Sequence, residues 1–207
     1  LRWKQVQDAP VITKGAFDSQ NNAFWSVSEK RYVCYFRVFR EGKRWIARTT
    51  SHDFVNWSGP VDLELDGKPR EQLYTNQFDP YPRAPHIYLG LPTRFLPGRR
   101  VVTPEEARQI GTPTKWNYVN DCTDIQLAAA RGGADFSRTF LEAFIRPGAD
   151  LRNWTSRSNY AARGIVQTGD RELSIYVKHH SGYKSIHLKR YTIRPDGFVS
   201  VQAPYEG

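Results

Sequence analysis

The 207-residue sequence contains no methionine and only two cysteines. Because it begins at Leu1 without a methionine, the native start is expected to lie outside this chain. Two cysteines cannot build a disulfide framework or fix a redox compartment. Neither Cys34 nor Cys122 has the CxxC or histidine-spaced neighbour of a metal site. Cys34 lies mid-strand in RYVCYFRVF and reads as a small core residue. Cys122 falls in NDCTD, which reads as a polar turn, and a disulfide between the two has no support. No metal and no cofactor is therefore expected. No apolar run approaches the roughly 18 residues of a membrane span, and nothing resembles a signal peptide. Basic residues never form a block of five, and there is no RNA-recognition motif, zinc-finger spacing or basic helix. Neither a membrane nor nucleic acid is an expected partner.

What is present points to strands. The chain is 39% hydrophobic and 14% aromatic, with 6 Trp, 11 Tyr and 11 Phe beside 13 Pro and 15 Gly. That composition suits an ordinary core built of strands and turns. The formal charge of +9, from 30 Lys plus Arg against 21 Asp plus Glu, favours an anionic partner, although a solvated basic surface explains it equally well.

From Phe17 to Leu65 short pieces follow one another: FDSQNNAFW, RYVCYFRVF, the turn REGK, RWIARTT, and VDLEL after SHDFVNWSGP. Apolar residues occupy both faces of RYVCYFRVF, as in a strand covered on both sides. In SHDFVNWSGP, Asp53 is placed to accept backbone N–H bonds and Trp57 to fold back over the turn. Trp25 and Trp57 read as core. A second set runs through QLYTNQFDPYPRAPHIYLGLPTRF and DIQLAAARGGADFSRTFLEAFI, where ARGGADFSR repeats the Asp turn loosely. A third runs from SRSNYAARGIVQTG to the Asp196–Gly197 hairpin turn and FVSVQA.

Meanders recurring every 50 to 80 residues indicate a β-propeller. The expected fold is all-β: antiparallel four-stranded blades at 17–70, 71–150 and 151–207, part of a five-bladed ring with upstream blades outside this chain. One short helix interrupts the second blade. Thr103 to Glu106 form a capping box with Pro104 at the first helical position, and Gly111 ends the helix.

In order, FDSQNNAFW…YVCYFR, TSHDFVNWS, LYTNQFDPYPRAPHIYLG, FLEAFIRPG and RYTIRPDGFVSV resemble the later blades of five-bladed propeller proteins. They are similar to the N-terminal domain of glycoside hydrolase family 32 and its relatives, families 43, 62, 68 and 117. The resemblance implies a carbohydrate-active enzyme working on a poly- or oligosaccharide, secreted or periplasmic. The family 32 signatures NDPNG, RDP and EC are absent, so no nucleophile carries over to this sequence.

Glycoside hydrolysis needs two carboxyl groups flanking the anomeric carbon. Residues opening the first strand of each blade are the candidates. Asp18 opens the first blade, with a turn cap as its alternative. Glu71 precedes the next, with an exposed loop position as its alternative. Of Asp121 and Asp124, one is expected to cap a turn and the other to line the pocket, and Asp124 is taken for the pocket. Glu142 lies in FLEAFIRPG, read as an outer strand, where an ion pair with Arg146 is the default. Tyr81, Arg83 and His86 in YPRAPH are candidate substrate contacts. Trp154 could stack on a sugar ring, with Arg157, Asn159 and Tyr160 hydrogen-bonding beside it. Arg163 could grip a carboxylate or sulfate, or serve as a structural ion pair. His179 joins the candidates although, with His180, it reads as a solvated hairpin tip. The rival reading is a non-catalytic glycan-binding or structural propeller.

Overall fold

A computed structural model describes residues 2–114 and 117–200. The first meander comprises β1 (Asn22–Ser26), β2 (Arg31–Arg40), β3 (Lys43–Ser51) and β4 (Val61–Asp62), antiparallel and in sequential order. β2 is buried on both faces through Val33–Val38, as the two-sided apolar pattern requires. At the end of β3, Asp53 accepts the Val55 and Asn56 N–H groups at 2.9 and 2.7 Å. Trp57 folds back to pair with Ser51, its indole N–H donating to the Phe54 carbonyl at 3.0 Å. The turn is built as its sequence indicates. Trp25, in contrast, is surface, stacked edge-on against Tyr32 at 4.9 Å.

The second meander is one three-stranded sheet broken across its middle. β6 (Gln72–Leu73) and β7 (Asp79–Tyr81) form its first strand, β8 (Ala84–Gly90) and β9 (Thr93–Pro97) its centre, and β10 (Asp121–Ile125) and β11 (Ala128–Ala130) its third. Bonds from Tyr74 N to Thr93 O (2.7 Å) and Gln126 N to Pro92 O (2.9 Å) bridge the breaks. The interruption between β9 and β10 carries α1 (Pro104–Gln109), with the Thr103–Glu106 capping box formed.

Three local expectations are corrected. Cys122 sits buried within β10, and both cysteines are free thiols, each pushed up to about 11 by burial. Asp135 caps no turn: β12 (Asp135–Phe136) pairs in parallel with β5 (Glu64–Leu65) and so ties the first two meanders. FLEAFIRPG forms no strand; a single bridge, Ile125–Ile145, docks it, and Arg94 takes the Leu141 carbonyl at 3.0 Å. Glu142 is exposed there and makes no ion pair with Arg146.

In the third meander β13 (Tyr160–Ala161) and β14 (Val166–Gly169) share one edge of β15 (Glu172–His179), and β16 (His187–Ile193) lines the other. Described residues beyond the Asp196 turn form no strand; the end of the FVSVQA segment lies outside the described residues.

The core lies between successive meanders. Tyr35, Phe36, Phe78, Tyr88 and Phe136 fill the first interface, with Phe78 and Phe136 ring centroids 4.4 Å apart. Leu89, Leu91, Ile125, Leu173, Ile175 and Val177 fill the second. Tyr88 and Leu89 thus face opposite cores, the two-residue period of a strand covered twice. Each such side chain contributes about 1.5–3 kcal/mol by leaving water. The expected all-β class, antiparallel meanders with one short helix, is what the chain adopts. Among the described residues no helix is long and apolar enough to cross a membrane.

Candidate functional site

The first strands of the three meanders meet. Ser19 Oγ donates to the Tyr74 carbonyl at 3.0 Å, and Gln20 Nε2 to the Ala161 carbonyl at 3.5 Å. Asn76 is buried between them, accepting from Asn22 at 2.8 Å and donating to the Gln20 carbonyl at 2.9 Å. Arg163 clamps Asp79 through two 2.8 Å bonds and reaches the Ala23 carbonyl at 2.9 Å. These bonds satisfy strand ends that diverging sheets leave unpaired.

Cations and rings gather on this seam. Arg37, buried inside β2, pairs with Asp18 and lies 5.1 Å from the Tyr74 ring centroid. The Arg44 guanidinium sits 4.7 Å from both the Tyr74 and Phe95 centroids and donates to Gln72 Oε1 at 2.8 Å. Tyr74 packs on Tyr160 at 5.4 Å, and Lys178 Nζ stands 4.6 Å over the Tyr160 ring. Such stacking holds cations without neutralising them.

Two carboxyl groups here have opposite surroundings. The hydrogen bond from Arg37 holds the exposed Asp18 carboxyl below its ordinary range. Burial pushes Asp121 up, against a hydrogen bond from Ser156, and its Oδ1 has no hydrogen-bond partner. The positive charge of Arg44 reaches both. Burial also raises the Tyr160 hydroxyl, which lacks a hydrogen-bond partner, and lowers Lys178.

Solved structures resemble this chain. An N-acetylgalactosamine deacetylase from F. plautii, in complex with blood group B trisaccharide, superposes with a TM-score of 0.52 at 12% identity, over 84% of this chain and 45% of its own. A GH32 β-fructofuranosidase from Bombyx mori gives 0.53 at 9%, over 84% and 32%. BT0996, solved in an RGII complex, gives 0.55 at 11%, over 96% and 54%. The likeness is one of fold. The chain spans about half or less of these proteins. No protein-family model matches the sequence, and no curated protein does.

Glu71 and Asp124 come together, but on a shared cation. Arg94 binds Asp124 at 3.0 and 2.7 Å and Glu71 at 3.0 Å, and the wholly buried Arg138 takes the other Glu71 oxygen. All three candidate acids pair with arginines, Glu71 and Asp124 on the shared Arg94 and Asp18 on Arg37. Arg163 adopts the ion-pair alternative. Tyr81 and Arg83 hold the Asp196 turn, at 2.6 Å from the Tyr81 hydroxyl and 3.5 Å from the Arg83 guanidinium. Asn159 is fully buried, its amide bridging the Thr123 and Asn153 carbonyls at 2.8 Å each, so it offers no donor to a ligand. Trp154, ending a 3-10 turn (Leu151–Trp154), donates to the Gly148 carbonyl at 2.7 Å. His86 is exposed on β8.

His179 is not a solvated tip. It is buried, and so is His180. Asn153 Nδ2 donates to its Nδ1 at 2.7 Å, so Nε2 carries the proton and faces the Tyr191 hydroxyl at 3.1 Å. Burial brings it down to about 4. His180 pairs instead with Asp150 (3.1 Å) and Ser185 (2.9 Å). Among the described residues no cluster of His, Cys, Asp and Glu is arranged to hold a metal.

Of the predicted residues, the seam retains Asp18 and Tyr160, with Arg157 acting on Asp121 and Tyr160 through its charge. The sequence reading passed over Arg37, Arg44, Tyr74, Phe95 and Lys178. One signal was available: an arginine inside the otherwise apolar YFRVF has to find a carboxylate.

Proposed function

We propose that the chain is part of a glycoside-hydrolase-like protein acting on an oligo- or polysaccharide. The sugar is bound at the seam of the three first strands, within a five-bladed propeller completed by chain outside these 207 residues. One observation carries the reading: the seam presents Tyr74, Phe95 and Tyr160 beside two carboxyl groups held in opposite protonation environments. Sugar rings bury their C–H faces on aromatic rings, while glycosidic cleavage needs one ionised carboxylate and one proton donor. Asp18 fits the first role and Asp121 the second. The fold likeness to glycoside hydrolases supports the reading without fixing a substrate.

The test is oligosaccharide binding by the intact protein across a glycan panel. Tyr74→Ala is expected to weaken binding about 3- to 10-fold, since a stacked ring contributes on the order of 1 kcal/mol. Unchanged binding would place the sugar elsewhere. The rival, a glycan-binding module without hydrolysis, draws support from Glu71 and Asp124, both neutralised by arginines.

A further inference from the structure

We infer that the seam selects an acidic sugar, whose carboxylate or sulfate docks on Arg44 with Lys178 as second cation. This rests on the glycan-site reading above and names its substrate class. Arg44 is half-buried between the Tyr74 and Phe95 rings, and its one side-chain hydrogen bond is to the neutral amide of Gln72. Its Nε is buried without an acceptor. Lys178 stands over Tyr160, and it too forms no ion pair with any described carboxylate. Buried arginines on this side of the molecule have an acid: Arg37 has Asp18, Arg94 has Asp124 and Glu71, and Arg138 has Glu71.

A guanidinium withdrawn against rings with no carboxylate in direct contact, only the more distant Asp18 and Asp121, gains from an anion that arrives. A planar guanidinium with free donors matches the paired oxygens of a carboxylate or sulfate. The Asp18 carboxylate is already engaged by Arg37, and burial favours the neutral form of Asp121. The Asp18 charge is thus offset by Arg37 before an acid arrives. The positive potential left at Tyr74–Tyr160 therefore attracts an anion at the spot where the rings stack a sugar.

The experiment compares matched probes on the intact protein by calorimetry: oligogalacturonide against its carboxyl-reduced product, and sulfated against desulfated chondroitin oligosaccharide. A single-stranded oligonucleotide serves as the non-glycan anion. We expect one acidic glycan to bind about 10- to 100-fold tighter than its neutral partner, the range of one or two charge-assisted bonds. Which pair shows the difference identifies carboxylate or sulfate. Arg44→Gln is expected to bring the acidic-to-neutral affinity ratio to about one, and Arg44→Lys to restore part of it; thermal melts confirm that both variants fold. Equal binding of acidic and neutral partners overturns the inference and leaves the glycan-site reading standing. Loss of both affinities together in a folded Arg44→Gln protein also overturns it. Binding of neither glycan, or tighter binding of the oligonucleotide, overturns both.

Discussion

Glu71 shows how far single residues can be read. Its position at the head of a strand made it a candidate acid, and that position was legible. Its partners were not, because Arg94 and Arg138 lie 23 and 67 residues away and only packing brings them together. Arg138 is fully buried with Glu71 as its carboxylate partner, so Glu71→Gln leaves an uncompensated buried charge. We expect a loss of about 3–5 kcal/mol in urea unfolding. A change below about 1 kcal/mol would return Glu71 to the functional candidates. His179 gives the pH counterpart. Its folded value of about 4 lies below the unfolded one, so the unfolded state takes up the proton first. Stability from this group is complete above the unfolded value and drains as pH falls towards about 4. Lys189, His187 and His180 face the ring and oppose its protonation, while Asp150 favours it. His179→Gln should flatten the acid limb of the stability profile; an unaltered limb would assign it to other groups.

At the scale of elements, apolar residues on both faces of RYVCYFRVF marked the doubly covered middle strand of the first meander. Turn chemistry located the Asp53 turn and the capping box around Thr103, where the bonds are local and the sequence states both partners. The breaks within the second meander were invisible to pattern. Phe78, within the break of the first strand, covers Gly90, whose added Cβ would lie 2.0 Å from a Phe78 ring carbon. Gly90→Ala must therefore displace a ring packed 5.0 Å from Tyr35 and 4.4 Å from Phe136. Overpacking of this kind costs about 1–3 kcal/mol. Melting should show that loss, and an unchanged melting temperature would mean the core has slack there. Glu142 marks the opposite error: an apolar-looking stretch read as a strand, whose carbonyl was claimed by a distant arginine.

At the scale of the whole molecule, the order of meanders was readable from recurrence, and their meeting along the first strands was expected from the architecture it implied. Which side chains line the meeting was not readable. Arg37 and Arg44 enter from the middle and third strands of the first meander, Asp121 from the third strand of the second, and Lys178 from the centre of the third. Of the two neighbouring carboxylates the sequence favoured Asp124 for the pocket; pairing distinguishes them, since Asp124 finds Arg94 and Asp121 keeps an unpartnered oxygen. The proposed function therefore concentrates on that group. The most direct measurement is glycan turnover and glycan binding by the intact protein with Asp121→Asn, which keeps the shape and removes the titrating proton. The account predicts turnover lowered about 10²–10⁴-fold, the usual contribution of a positioned proton donor, with binding retained within about threefold. Turnover at the wild-type level with Asp121→Asn would contradict it.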